Sequence, residues 1–291
     1  MGASTKAPQA GLDEQQVKLA ANAMRRDIID MLEQAKSGHP GGSLSAVDAM
    51  AVLYFTDVMD YNPADPTDHA GDRFILSKGH AAPTLYAIYH QLGWITDAEM
   101  LSIRKMGSKL QGHPDSNALP GVEVCTGSLG QGLSIAAGLA LGLQMDGSTA
   151  QVFTLLGDGE MQEGSNWEAL MFAAHRGLGN LVAIIDYNDL QIDGRVTEVC
   201  SLGDLDAKLA AFGWGVSHVD GHDIPALYGA LCAAKAATDA PQAIVMDTVK
   251  GKGVSFMEDV CNWHGVAPNA EQAAAARAEL AAERERIEKG A

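Results

Sequence analysis

The residues best suited to chemistry are two oxygen donors, each standing just past an apolar run. Asp158 lies in Gly157-Asp158-Gly159, after Gln151 to Leu156, and Asn188 stands three residues beyond the run Leu181 to Ile185. If the two runs are neighbouring parallel strands, their carboxyl ends set a carboxylate beside an amide oxygen. That is the crevice where open α/β sheets bind ligands. Hard oxygen ligands in low number suit Mg2+, which completes its octahedron with water and phosphate oxygens, and the paired glycines let backbone approach a ligand closely. The pattern points to a divalent ion joining the protein to a diphosphate. Alone, Gly-Asp-Gly is an ordinary turn after a strand; the crossover-length step to Asn188 gives it weight.

Histidine supplies the second group. Four of the nine, His39, His80, His113 and His264, sit in Gly- or Pro-bounded loops and not on an apolar periodic face. Imidazole gives and takes protons near neutral pH, as acid–base work requires. His69, His90, His175 and His218 read as surface or satisfied core residues, and His222, in Asp220-Gly-His, is left undecided. Thr126 to Gly132 is glycine-rich and opens a helix over Leu133 to Leu143, but it lacks the Lys-Ser/Thr step of a P-loop and is not G-x-G-x-x-G. Lys250-Gly-Lys-Gly253 reads either as a solvated turn or as a phosphate contact. The cysteines, Cys125, Cys200, Cys232 and Cys261, form no C-x-x-C pair, so they read as buried or incidental free thiols, not as a zinc or redox motif.

These residues need a scaffold. Apolar spacing over Val17, Met24, Ile28, Met31 and Leu32 predicts an amphipathic helix ending at Gly38. A loop is expected over Ser37 to Ser43, a helix from Leu44 to about Asp57, and a surface loop from Asn62 to Asp72. Phe74 to Leu76 is a short apolar run, and another helix begins at Pro83. The strand Gln151 to Leu156, a helix over Trp167 to Arg176 and the strand Leu181 to Ile185 form a βαβ unit, whose crossover makes the strands parallel. Trp214 to Val219, Ile224 to Ala237 and Ala243 to Val249 repeat the alternation. It argues an α/β fold with a doubly wound, mostly parallel sheet flanked by helices. Glu271 to Lys289 reads as a further helix, exposed or docking. No internal repeat appears.

With 37 acidic against 20 basic residues the net charge is −17, so the general field repels polyanions. Nucleic acid and membranes are not expected partners, and an anionic ligand must be met by local cations, a metal or aimed backbone N–H groups. Met1 to Glu14 lacks the apolar stretch of a secretory signal and no apolar run is long enough to cross a bilayer, so a cytoplasmic protein is expected.

Asp158 followed by a crossover and Asn188-Asp189-Leu190 resembles the thiamine diphosphate motif, and Gly157-Asp-Gly-Glu-Met-Gln-Glu-Gly164 resembles its transketolase version. Ser37-Gly-His-Pro-Gly41, Ser77-Lys-Gly-His-Ala81, Gly112-His-Pro114, Thr126-Gly-Ser-Leu-Gly-Gln-Gly132, Ile192-Asp-Gly194, Val219-Asp-Gly-His222 and His264-Gly265 follow in transketolase order. The resemblance implies a thiamine diphosphate-binding domain over 14–268, a flexible N-terminus over 1–13 and a helical extension over 269–291. It implies metal ligands Asp158, Asn188 and the Leu190 carbonyl, for Mg2+ with Ca2+ or Mn2+ as substitutes. His80, Gly159 and His264 are placed around the diphosphate, Gly127 and Leu129 toward the aminopyrimidine, Ile192 on the thiazolium, and His39, His113 and His264 along the substrate channel. Glu163 is implied in a proton relay between two cofactors across a dimer, and reads equally as a carboxylate at a helix start.

Two positions depart from the pattern. Ser128 stands where transketolases usually have proline, and Lys250 where long-chain ones tend to be apolar; Lys-Gly-Lys-Gly is closer to deoxyxylulose-phosphate synthases. The chain also lacks the pyrimidine-binding half. It therefore resembles the N-terminal chain of a two-chain transketolase, active only with a separate C-terminal subunit, as two copies of each. The implied reaction moves a two-carbon ketol unit from a ketose phosphate to an aldose phosphate, with pentose phosphates as the default substrates. Half of another thiamine diphosphate enzyme and a non-catalytic cofactor-binding paralogue are the alternatives.

Overall fold

The structure, a computed structural model, describes residues 10–290; residues 1–9, most of the segment expected to be flexible, and Ala291 lie outside the described residues. Four apolar runs and one half-exposed edge segment become strands of one sheet: β1 (Arg73–Leu76), β2 (Val152–Gly157), β3 (Leu181–Tyr187), the edge strand β6 (Gly215–Asp220) and β7 (Gln242–Asp247), in the order β1-β2-β3-β7-β6. Every neighbouring pair is parallel, β2 and β3 in register from Val152↔Leu181 to Gly157↔Asp186. A small antiparallel hairpin, β4 (Leu190–Gln191) and β5 (Gly194–Arg195), follows β3 directly.

Side chains alternate across a strand, so each strand feeds two cores. Phe74, Leu76, Phe153, Leu155, Val182, Ile184, Ile244 and Met246 belong to one, and Ile75, Val152, Leu156, Leu181, Ala183, Ile185, Ala243 and Val245 to the other. Helices α1 (Glu14–Ala35), α3 (Val47–Phe55), α4 (Ala82–Gln91), α10 (Ile224–Ala236) and α11 (Ala270–Glu288) cover the first face. Helices α6 (Gln131–Met145), α7 (Gly164–Arg176) and α9 (Leu205–Ala211) cover the second. The short helices α2 (Pro40–Ser45), α5 (Asp97–Met100) and α8 (Val196–Val199) sit in the connections. Helix α11 docks on α1: Asn22 Nδ2 donates to the Leu280 carbonyl at 2.9 Å, and Arg277 Nη1 bonds Asp30 at 2.9 Å and Glu33 at 2.6 Å.

Two expectations need correction. Ser37 to Ser43 is not wholly loop, because α2 starts at Pro40, whose missing N–H costs nothing in a first turn. Its glycines serve close packing: a Cβ on Gly41 would lie 2.9 Å from the Lys250 Cγ. The helix expected over Leu44 to Asp57 is interrupted at Ala46, with Ser45 Oγ tied at 2.6 Å to Asp186 of β3. Of the two readings of the cysteines, buried or incidental free thiols, the second holds: Cys125 and Cys200 are exposed, Cys232 and Cys261 half-buried, and all are free. Among the described residues no helix is long and apolar enough to cross a membrane.

Candidate active site

The parallel pairing of β2 and β3 brings Asp158 and Asn188 to the same end of the sheet. Asp158 is 3% exposed and its carboxylate is stitched to backbone on both sides, Oδ1 accepting from Gly159 N at 2.7 Å and Oδ2 from Asp189 N at 2.5 Å. Asp189 adopts a left-handed conformation, φ 55°, which turns the chain from Asn188 into the hairpin; Asn188 Oδ1 accepts from Leu190 N at 3.1 Å. Burial first, and the neighbouring Asp186 second, push the Asp158 carboxyl up to about 6. A carboxylate so placed favours a cation beside it.

A cavity of about 220 Å3 opens at these strand ends. Of the residues singled out from sequence, His80, Leu129, Asp158, Gly159, Glu163, Asn188, Leu190, Ile192 and His264 line it. His39, His113 and Gly127 lie beyond its lining but continue from it. The His39 ring centroid is 5.5 Å from His80, 5.7 Å from His264 and 6.4 Å from His113. Gly127 has φ 135°, and a Cβ there would stand 2.8 Å from the His113 Cγ, so only glycine lets this loop run against the imidazole. Ile192, at the hairpin tip, is 71% exposed. Glu163 is exposed and stands at the start of α7 without a side-chain capping bond, so both its readings stay open.

The imidazoles share one electrostatic setting. Burial, then the surrounding cations and histidines, lower His39 to about 4 and His264 to about 3, and carry His80 well below the usual range. His113 is lowered by burial and by Arg104. These rings are neutral at pH 7.

Several functional groups escaped the sequence reading. Lys78 and Asp186 form an ion pair whose side chains are 2% and 0% exposed, joined by Ser45 and Thr248 hydroxyls on the same carboxylate. Glu160, inside the recognised motif but given no role, accepts from Ser77 Oγ, from Gly130 N at 3.0 Å and from Gly157 N at 3.1 Å, holding the glycine loop against the end of β2. The Arg104 guanidinium stacks into the space left by Gly112, where a Cβ would be 2.9 Å from its Cζ, beside His113. Lys250 did not escape, and of its two readings, solvated turn or phosphate contact, burial excludes the first: it is 2% exposed, and Nζ donates to the Leu190 carbonyl at 2.7 Å and to His264 Nδ1 at 2.8 Å. Burial lowers its ammonium to about 8. His222, undecided from sequence, lies outside the cleft, bonded to Asp48 and Val249.

The donor set can be tested against a hard divalent ion and a diphosphate. Among the described residues no three His, Cys, Asp or Glu side chains gather into a metal cage. The cleft offers instead one carboxylate, one amide oxygen and a carbonyl whose second lone pair is free of Lys250, a set suited to a hard ion that takes its remaining ligands from phosphate and water. His39 Nδ1, Thr126 Oγ1 and Gln191 Oε1 are buried without a hydrogen-bond partner among the described residues, as expected where a polar ligand completes a site. The residues present fit both groups. A larger cavity, about 680 Å3 between α1 and α11, is lined by charges already paired with one another, such as Arg25–Asp48 and Arg286–Glu283.

Residues 16–288 match the family described as transketolase, thiamine diphosphate binding domain. The chain is 41% identical over 271 residues to the 6-deoxy-6-sulfo-D-fructose transketolase subunit SqwG of Clostridium sp. (strain MSTE9), a match covering 92% of this chain and 98% of that one. It is 38% identical over 273 residues to one of the subunits of the apulose-4-phosphate transketolase of Phocaeicola vulgatus, covering 94% and 96%. Transketolase-like protein 2 of Mus musculus is 45% identical over 246 residues, but there the chain spans only 39% of the relative's length. The crystal structure of transketolase from Campylobacter jejuni superposes with a TM-score of 0.86 at 30% identity, over 95% of this chain and 46% of that one. With its parallel sheet, its metal-suited strand ends and these matches, the chain belongs to the transketolase family, as a thiamine diphosphate binding domain.

Proposed function

We propose that this chain is the cofactor-binding subunit of a two-chain transketolase, moving a two-carbon ketol unit from a ketose phosphate to an aldose phosphate once joined to a C-terminal subunit. The observation that carries the reading is one cleft in which Asp158, Asn188 and the Leu190 carbonyl meet imidazoles held neutral. The 220 Å3 of that cleft falls below the roughly 300–1,000 Å3 of usual ligand sites. A half-site completed by another chain accounts for this, as does the near-complete coverage of two relatives named as subunits.

In this reading Asp158, Asn188 and the Leu190 carbonyl hold Mg2+, while His80, Gly159 and His264 surround the diphosphate, with Lys250 as a nearby cation. Leu129 and Gly127 face the aminopyrimidine and Ile192 the thiazolium. When bound, thiamine diphosphate supplies the electron sink for carbon–carbon cleavage. The chain's own task is to orient it and to handle protons. Neutral His39, His113 and His264 accept and return protons at sugar hydroxyl and carbonyl oxygens, and Arg104, at the same mouth, offers a charge to an anionic sugar.

Assembly follows from the surface. Ile135 and Met145 on α6 and Met171 and Phe172 on α7 are exposed, an apolar face suited to burial against another protein chain. Two copies of each chain, with exposed Glu163 in a relay between cofactors, is the arrangement we favour. A cytoplasmic setting and pentose phosphate substrates complete the reading. Purified alone, the chain should show no ketol transfer from a ketose phosphate, and activity should appear on adding the C-terminal subunit. Activity of the chain by itself, or none in the mixture, would overturn the assignment.

A further inference from the structure

We infer that Arg25, Asp48 and His222 form a buried clamp that positions Lys250 in the cleft by gripping the backbone on both sides of it. One carboxylate oxygen of Asp48, 6% exposed on α3, accepts from Arg25 Nη2 at 2.6 Å and from His222 Nδ1 at 2.8 Å. The other nitrogen of the same ring, Nε2, accepts from Val249 N at 2.9 Å, which assigns the proton to Nδ1. Arg25 then reaches the far side of the turn, Nε donating to the Lys252 carbonyl at 3.1 Å. Lys250 is thus bracketed, one residue before it and two after it.

The turn needs such a bracket. Gly251 and Gly253, at φ 82° and 92°, bring no side chains of their own to fix the segment, which beyond the clamp is held by backbone bonds to Gly41 and Asp259 and by the Glu258 carboxylate. On the cleft side the Lys250 stem runs against Gly41 and its ammonium reaches the Leu190 carbonyl and His264. None of the three clamp residues lines the cleft; they line the separate cavity between α1 and α11. They are positioning residues, acting through Lys250. Stability alone gives little reason for them, because a buried ion pair commonly does no better than well-packed apolar side chains. Directed bonds to two named backbone groups are what an apolar trio lacks. The inference rests on the reading of Lys250 as a cofactor contact, and the test keeps the two apart.

The first measurement is hydrogen exchange on the full chain without ligand, followed by mass spectrometry of peptides spanning the turn. His222→Asn keeps a donor for Asp48 but has no acceptor where Nε2 stood, whereas His222→Gln places an amide oxygen there. The amides from Val249 to Gly253 should exchange about tenfold faster in His222→Asn, with β2 and β3 unchanged, and slow again in His222→Gln. The second measurement is the affinity of the chain, with its C-terminal partner, for thiamine diphosphate and Mg2+. His222→Asn should weaken it about tenfold, the usual scale for a supporting residue behind a ligand, but should cost nothing more in a Lys250→Met background. If His222→Asn does not fold, Asp48→Asn is judged by the same outcomes. Unchanged exchange in the turn, acceleration spread over the whole sheet, or losses that multiply in the double variant would each overturn the clamp. A turn that loosens as expected while Lys250→Met leaves affinity intact would uphold the clamp and reject the cofactor role of Lys250.

Discussion

In the cleft, the rings of His39, His80 and His264 lie 5.4 to 5.7 Å apart, and no carboxylate bonds any of them among the described residues. At the end of α4, His90 is held between two carboxylates, Asp27 at 2.8 Å and Asp97 at 2.7 Å. The bond to Asp27, above all, raises His90 to about 9, and His218 is raised likewise between Asp247 and Asp206. In the cleft, burial among imidazoles and cations lowers His39 to about 4 and His264 to about 3. One side chain type therefore does two jobs. Two carboxylate partners keep the His90 ring charged as a fastener, and burial without any keeps the cleft rings neutral.

The comparison can be broken at several points. The largest effect is expected at the carboxylate proposed to hold the metal: Asp158→Ala should weaken Mg2+-dependent thiamine diphosphate binding by at least about 100-fold, read by calorimetry. Unchanged affinity would remove Asp158 from the ligand set. Next comes His113→Ala, which should slow ketol transfer by about 10²-fold, the scale of a lost acid–base group, with cofactor affinity intact. A normal rate would leave His113 a purely structural role.

Stability should follow the two histidine classes in opposite directions of pH. His39 and His264 bind protons less readily folded than unfolded, so their contribution is whole above pH 6.5 and is lost as pH falls toward about 4 and about 3. Urea denaturation of His264→Gln should show a flatter acid limb than the parent chain; an equal slope would contradict the lowered proton affinity. His90 binds protons more readily folded, so its contribution is whole below pH 6.5 and is lost as pH rises through about 9. The smallest effect is expected for Asp27→Asn. It should cost about 1 kcal/mol near pH 6 because the pair is partly exposed, and should not change ketol transfer. A loss of activity there would blur the division between fasteners and proton acceptors.

Much of this was legible along the chain. Apolar runs marked β2, β3 and β7, because strands buried on both faces read as near-continuous hydrophobic segments, whereas the half-exposed edge strand β6 showed only through the strand–helix alternation. Gly- and Pro-bounded loops separated the four cleft histidines from His90 and His218. What stayed hidden depends on partners remote in sequence: Lys78 meets Asp186 across 108 positions, Ser77 meets Glu160 across 83, and His222 meets Asp48 across 174. One signal was available, since Asp186 is an acid within the otherwise apolar Leu181–Tyr187 and a charge there demands a partner. Helix α2 hid for another reason: Pro40, Gly41 and Gly42 are poor helix formers by propensity, and their glycines answer to Lys250 and His80 packing from elsewhere in the chain.

The proposed metal site can be examined most directly in crystals of the chain with the proposed C-terminal partner, grown with thiamine diphosphate and Mn2+, using the anomalous signal of the ion. The account predicts a peak bonded to the Asp158 carboxylate, the Asn188 amide oxygen and the Leu190 carbonyl. A peak bound to other residues, or cofactor held in the cleft with no ion at those oxygens, would contradict it.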